Sequence, residues 1–269
     1  MNNNSKISPL SICFLSSFLY RSFYIIGLLN LVISIAEGDS IFSIIIGSIL
    51  GLIILYSYFY LNNKLTKDTI FIKISKSLPK IIADFIIVLL LILLLFVSGF
   101  TLYNLSLFVN YNLLNNINIL PISVLLIVSV TYLASKGINT ITRASGIFIF
   151  TFIALVIISI ITLINYSDPG NIYPLLINNF LSIYEGSIYH MILSVTPIFL
   201  LLIIPKDRIE DNKKYNRYMV ITYIISFVYI LINYVLIISI LGIKLTSILN
   251  YPDIIVLQKV SLLNFVERI

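Results

Sequence analysis

The chain has 269 residues, of which 59% are hydrophobic and only 10% charged, with a net charge of +6 and a mean hydropathy of +1.08. A soluble domain of this size needs far more polar surface to cover its core, so the length counts membrane spans rather than soluble domains. The cations lie between apolar runs and form no basic face with interleaved aromatics, which excludes nucleic acid as a partner.

The start, Met1 to Lys6, carries one cation, and the apolar run behind it is too long for a cleavable signal peptide. That run, 8–35, is the first expected span. Further apolar runs follow at 41–61, 81–110, 120–135, 144–165, 175–204 and 218–243. A helix rising 1.5 Å per residue needs roughly 20 residues to cross the hydrocarbon. The fold class expected is therefore all-α, a polytopic membrane helical bundle of about seven spans. The first, third and sixth runs are about 30 residues long and would reach ~42–46 Å if straight, so they must tilt, protrude or be interrupted.

The connections set the orientation. Lys64, Lys67, Lys73, Lys76 and Lys80 stand between the second and third runs. Lys136 and Arg143 follow the fourth, and Lys206, Arg208, Lys213, Lys214 and Arg217 follow the sixth. The alternate loops near 36–40, 111–119 and 166–174 hold no Lys or Arg, but instead Glu37, Asp39 and Asp168. By the positive-inside rule the N-terminus and the cationic loops are cytoplasmic. Trp is absent, so Tyr56, Tyr58, Tyr60, Tyr111, Tyr215 and Tyr218 are read as the interfacial anchors. After the seventh run, Asn250-Tyr251-Pro252-Asp253 leads into an apolar stretch with Gln258, Lys259, Glu267 and Arg268, read as a surface helix and the start of an eighth span. The bundle is expected to be incomplete at this point.

Polar groups inside the apolar runs are the functional candidates. Arg21 lies fourteen positions into a 28-residue run, where a charge normally faces a cavity or a partner. The alternative makes 8–20 an interfacial helix and leaves Arg21 at the surface. Ser16, Ser17, Tyr20 and Ser22 surround it, and small polar groups at a helix interruption are where broken-helix transporters bind solute. The sixth run has a comparable interruption at Ser194-Val195-Thr196-Pro197, since Pro197 removes a helical N–H; the alternative is an ordinary proline kink with serines bonding back to their own helix. Tyr103 and Asn104, midway along the third run, either line the same cavity or join helices. The expected solute-binding set is thus Ser17, Tyr20, Arg21, Ser22, Tyr103, Asn104, Ser194, Thr196 and Pro197. Glu185 either pairs with Arg21 or reaches the outer water. His190, the single histidine, is read as a hydrogen-bonded structural residue rather than a proton relay.

Cys13, the single cysteine, excludes an internal disulfide and any cysteine-based metal cluster, and its apolar surroundings give it an inert packing role. There is no Walker loop, HExxH motif or glycine-rich dinucleotide turn. No catalytic residue, metal site or cofactor is expected, and the chain is not read as an enzyme.

Several short motifs carry a resemblance. Lys6-Ile7-Ser8-Pro9-Leu10, Ala36-Glu37-Gly38-Asp39-Ser40, Ala134-Ser135-Lys136-Gly137-Ile138 with Arg143-Ala144, and Tyr251-Pro252 with Phe265-Val266-Glu267-Arg268 resemble the permease-like B subunit of spore germinant receptors. That family is a branch of the amino acid–polyamine–organocation superfamily. The resemblance implies a LeuT-like bundle of two inverted five-helix repeats with broken first and sixth helices. Residues 8–165 would form the first repeat and 175–269 part of the second, within a single transmembrane domain of 1–269. It also implies a small germinant such as an amino acid, bound at mid-membrane, and partner subunits of the A and C types. The membrane would be that of the bacterial cell or the spore, and its lipid the surrounding solvent. Two departures stand out: Tyr20-Arg21-Ser22 replaces a small glycine cluster, and Val195-Thr196-Pro197 stands where a Gly-Glu pair is expected. The alternative function is an ion-coupled secondary transporter of amino acids or similar solutes.

Overall fold

The computed structural model describes residues 6–24, 27–65, 67–114, 118–173, 175, 180–249 and 251–258, and among these it is helical with no β-strand. Each of the seven apolar runs contains helix. The first is split into α1 (Pro9–Leu19) and α2 (Leu28–Ala36), and the second is α3 (Ser40–Lys64). After the short α4 (Ile70–Ser77) come α5 (Lys80–Leu113), α6 (Ile119–Ser135) and α7 (Ile138–Leu163). The sixth run begins as α8 (Phe180–Val195) and tightens into a 3₁₀ helix over Thr196–Ile203. The seventh is α9 (Asn212–Leu241), followed by α10 (Ile243–Ile248) and α11 (Pro252–Gln258). Five of these segments are long and apolar enough to cross a membrane, while Pro9–Leu19 and Ile119–Ser135 are shorter apolar helices. The expected eighth segment lies almost wholly outside the described residues.

Local chemistry marks the boundaries. Gly27 and Gly137, at φ 106° and 86°, adopt left-handed backbone just before α2 and α7, as a residue without Cβ does at little strain. Asp211 caps α9 by accepting hydrogen bonds from the N–H groups of Lys213 and Lys214, both at 3.1 Å. The Lys214 N–H, chief among these interactions, holds the Asp211 carboxyl below the usual range. In α4, Ile70, Phe71 and Ile74 turn toward the bundle and Lys73 and Lys76 away from it, the pattern of a helix lying along the membrane surface.

Two buried clusters divide the bundle lengthwise. The first holds Ile7, Ile12, Tyr20, Leu65, Ile204, Ile209 and Tyr215, and the second holds Val32, Ile33, Leu163, Tyr234, Leu241 and Val256. Ile7 bridges to Ile209: its N–H donates to Arg208 O at 2.7 Å and its carbonyl accepts from Glu210 N–H at 3.2 Å. Lys206 donates to Asn63 Oδ1 at the end of α3, and Ile70 and Ile138 pack on the first cluster. The cationic connections therefore gather at one end of the bundle with residue 7, as the charge alternation requires.

α1 is part of the packed bundle. It packs on α7 and α9 and buries Ile12, Cys13, Ser16 and Ser17, so the thiol is enclosed as expected. The reading of the tyrosines needs correction at two places. Tyr56 and Tyr60 are exposed, but Tyr58 and Tyr215 are only 1% exposed and share a hydrogen bond with each other. Positions two apart on a helix lie 200° apart, so Tyr58 faces the core when its neighbours face outward.

α3 and α8 cross at a stripe of small residues. Ser43, Gly47 and Gly51 repeat every four residues on α3; Ser43 and Gly47 meet Gly186, Ser187 and His190 of α8, and Gly51 faces Val195 at the end of α8 and Tyr223 of α9. A Cβ on Gly47 would sit 2.5 Å from the Ser187 carbonyl oxygen, and one on Gly186 would sit 2.8 Å from Ser43 Oγ. Gly47→Ala should therefore destabilise by about 1–3 kcal/mol. Gly99→Ala, where a Cβ meets nothing within 4 Å, should be neutral or better. Thermal unfolding followed with a thiol-reactive dye at Cys13 measures both. A second expectation concerns topology. Single cysteines at 67, 136 and 208 on a Cys13→Ala background should react with an impermeant maleimide only from the cytoplasmic face, and labelling from outside would invert the orientation.

Candidate functional site

The first segment loses its i→i−4 ladder at Arg21. The N–H groups of Arg21 and Ser22 instead reach Phe18 O and Leu19 O, three residues back, both at 3.2 Å. Tyr24 N–H bonds Arg21 O at 3.1 Å, and α2 starts at Leu28. The interruption thus follows Leu19 and includes Arg21 and Ser22. In the sixth segment the α-helix ends at Val195, and Pro197 stands second in the 3₁₀ helix that replaces it.

Both interruptions border a half-open cavity of roughly 900 Å³ whose far wall is α5. Of the nine expected site residues, Ser22, Thr196 and Pro197 line it. Ser98 and Thr101 of α5 join them, and the remaining wall is apolar, with Phe23, Leu94 and Phe199 among it. Every one of these hydroxyls donates to a backbone carbonyl three or four residues back: Ser22 to Leu19 O at 2.8 Å, Ser98 to Leu95 O and Thr101 to Ser98 O at 2.9 Å, and Thr196 to Ile192 O. Their protons are thereby committed, and each oxygen keeps lone pairs. The polar part of the cavity offers acceptors.

The other six expected residues are not in that lining. Ser17 is buried and donates to Phe14 O at 2.7 Å. Tyr20 is 1% exposed, its ring edge-on to Tyr223 at 5.2 Å and its hydroxyl without a hydrogen-bond partner among the described residues. Ser194 is buried in α8. Tyr103 is exposed, and Asn104 donates back to Phe100 O at 2.8 Å while its own carbonyl accepts from the Tyr251 hydroxyl at 3.4 Å. Arg21 turns away from the cavity toward α7 and α9. Its guanidinium carbon lies 4.2 Å over the Phe152 ring and 5.0 Å over Tyr229, and Nε donates to Ser17 O at 2.8 Å. Glu185 is exposed, and no ion pair joins it to Arg21 among the described residues.

The polar junction of the molecule is centred on His190, 1% exposed. Its Nδ1 shares a hydrogen bond with the Tyr24 hydroxyl at 2.6 Å, and its Nε2 with Ser48 Oγ at 2.8 Å. The Tyr223 hydroxyl donates to Ser48 O, and Tyr24 stands edge-on to the imidazole at 5.9 Å. The ring thus joins α8 to the interruption and to α3, and Ser48 carries the link on to α9, which accords with a structural histidine. Tyr24, Ser48 and Tyr223 were not foreseen; their signal was the presence of hydroxyls inside runs that must bury them, and only the fold shows which of them converge.

His190→Leu should strand both hydroxyls at roughly 1–3 kcal/mol each. Adding Tyr24→Phe to that variant should recover part of the loss, since it removes one stranded group; the unfolding midpoints of the two variants measure this.

No curated protein and no solved structure matches the chain. A family model described as spore germination protein matches residues 6–269, nearly the whole length. With long apolar helices, two interrupted segments and this match, the chain belongs to the spore germination protein family, of the permease type.

Proposed function

We propose that the protein is the permease-like membrane subunit of a spore germinant receptor and that a small germinant, such as an amino acid, sits in the cavity that the two interrupted segments form with α5. The observation that carries this reading is the convergence of Ser22, Thr196 and Pro197, from two different helix interruptions, on one cavity with Ser98 and Thr101. Regular helices have no spare backbone groups in a membrane, and interrupted ones do. The wall suits an apolar side chain, and the hydroxyl acceptors suit an N–H or ammonium group.

In this reading 8–165 is one repeat and 175–269 part of its inverted counterpart, with the N-terminus cytoplasmic. Occupancy favours one arrangement of the bundle over another in proportion to the ligand's differential affinity for the two, and partner subunits read the difference. Arg21, stacked between Phe152 and Tyr229, holds the interruption against α7 and α9 rather than touching the germinant.

The test uses spores carrying Thr101→Val or Thr196→Val in the native gene, with germination followed as loss of optical density against amino-acid concentration. Each variant removes one acceptor at constant shape and should raise the half-saturating concentration about 3- to 10-fold. Germination unchanged in both removes the cavity as the site. Uptake of labelled amino acid by proteoliposomes, with no effect of the gene on germination, favours the ion-coupled transporter instead.

A further inference from the structure

A second pocket, of about 140 Å³, lies between α7, α9 and α11 and shares no residue with the large cavity. Apolar groups such as Val156 and Ile160 make most of its wall, and four polar side chains enter it: Ser159, Tyr229, Asn233 and Asp253. Asn233 Nδ2 donates to Asp253 Oδ1 at 3.0 Å, which fixes the amide and leaves its carbonyl oxygen as an acceptor. Ser159 Oγ spends its proton on Leu155 O at 2.8 Å and keeps its lone pairs. The pocket therefore presents a carboxylate, an amide oxygen and two hydroxyl oxygens.

Nothing described nearby neutralises that carboxylate. Among the described residues the ion pairs are Lys76–Asp68 and Lys214–Asp211. Arg21 is engaged on the Tyr229 ring, 5.0 Å from its centroid, rather than on Asp253. The N–H groups of Ile254 and Ile255, in the first turn of α11, donate to Tyr251 O at 3.2 and 3.4 Å. α7 contributes no titratable group to the lining, α9 contributes the Tyr229 phenol, and the interruption places the Tyr24 phenol within electrostatic range. Burial pushes the Asp253 carboxyl up to about 6, against the opposing Asn233 hydrogen bond. Its ionised form in this setting needs a counter-charge.

We propose that this pocket binds a small monovalent cation, with Asp253 as its counter-charge and the oxygens of Asn233, Ser159 and Tyr229 completing its shell. One carboxylate is too little charge for a divalent ion, whose sites draw on several carboxylates or phosphates, and among the described residues the lining holds no Lys or Arg that would favour an anion. The bound ion would tie α11 to α7 and α9, apart from the germinant cavity and independent of it.

Cation and proton compete for the same oxygens. The folded carboxyl titrates above its unfolded value, so without a cation its contribution to stability is full below the unfolded value and is lost as pH rises through about 6. A bound cation offsets that loss.

The test is thermal unfolding of the purified full-length protein in detergent, read by a thiol-reactive dye at the buried Cys13. In choline chloride the midpoint should fall between pH 5 and 7.5. Sodium or potassium chloride at the same ionic strength should raise it by several degrees at pH 7.5 and leave it unchanged at pH 5. Asp253→Asn should abolish the cation response. Equal midpoints in all three salts at pH 7.5, or a response that persists in Asp253→Asn, overturn the site. If Asp253→Asn does not accumulate, Ser159→Ala decides alone: a several-fold higher half-effect concentration supports the site, and an unchanged one overturns it.

Discussion

α3 and α8 approach until backbone meets backbone, and the arrangement of the polar interior depends on that contact. Lipid tails supply no hydrophobic drive between helices, so association rests on close packing and on hydrogen bonds across the seam. Gly47 and Gly51 remove the side chains that would hold α8 away, and Ser43 Oγ donates to Ile183 O across the gap at 3.0 Å. The same proximity brings Ser48 within reach of His190. A bulkier α3 would separate these groups and leave an imidazole buried with one of its nitrogens unpaired.

From that seam the wiring runs outward. His190 reaches Tyr24, which belongs to the irregular stretch after α1, so the interruption is fixed to α8 by a hydrogen bond. On its other side Arg21 is held by aromatic faces and by Ser17 O, a placement that satisfies a cation in an apolar bundle without an acid. The irregular stretch is therefore clamped between α8 and the α7–α9 pair, and Ser22 is left facing the cavity.

Much of this architecture is legible in the sequence because its causes are local or periodic. Run lengths, Pro197 and the alternation of cationic loops each act through the chain itself, and the two interruptions and the gathering of Lys and Arg at one end followed from them. The direction of Arg21 did not, because Phe152 and Tyr229 lie far along the chain and aromatic residues are common in every run. Tyr58 and Tyr215 were misplaced for a related reason: a tyrosine near the end of an apolar run has the same composition whether it meets headgroups or another tyrosine. The stripe at 43, 47 and 51 is visible as spacing, but its meaning appears only when Gly186 is opposite. The convergence of Ser22, Thr196 and Thr101 is likewise a property of three helices together.

The short bridge between Ile7 and Ile209 has a mechanical consequence. It joins the chain just before α1 to the chain just after the 3₁₀ helix, at the end where both inner half-segments terminate. Two backbone hydrogen bonds there fasten the chain before α1 to the chain that follows the 3₁₀ helix, so the two interrupted segments share one backbone anchor at this end. The anchor joins stretches some two hundred residues apart in sequence, so the position of one interrupted segment at this end constrains that of the other.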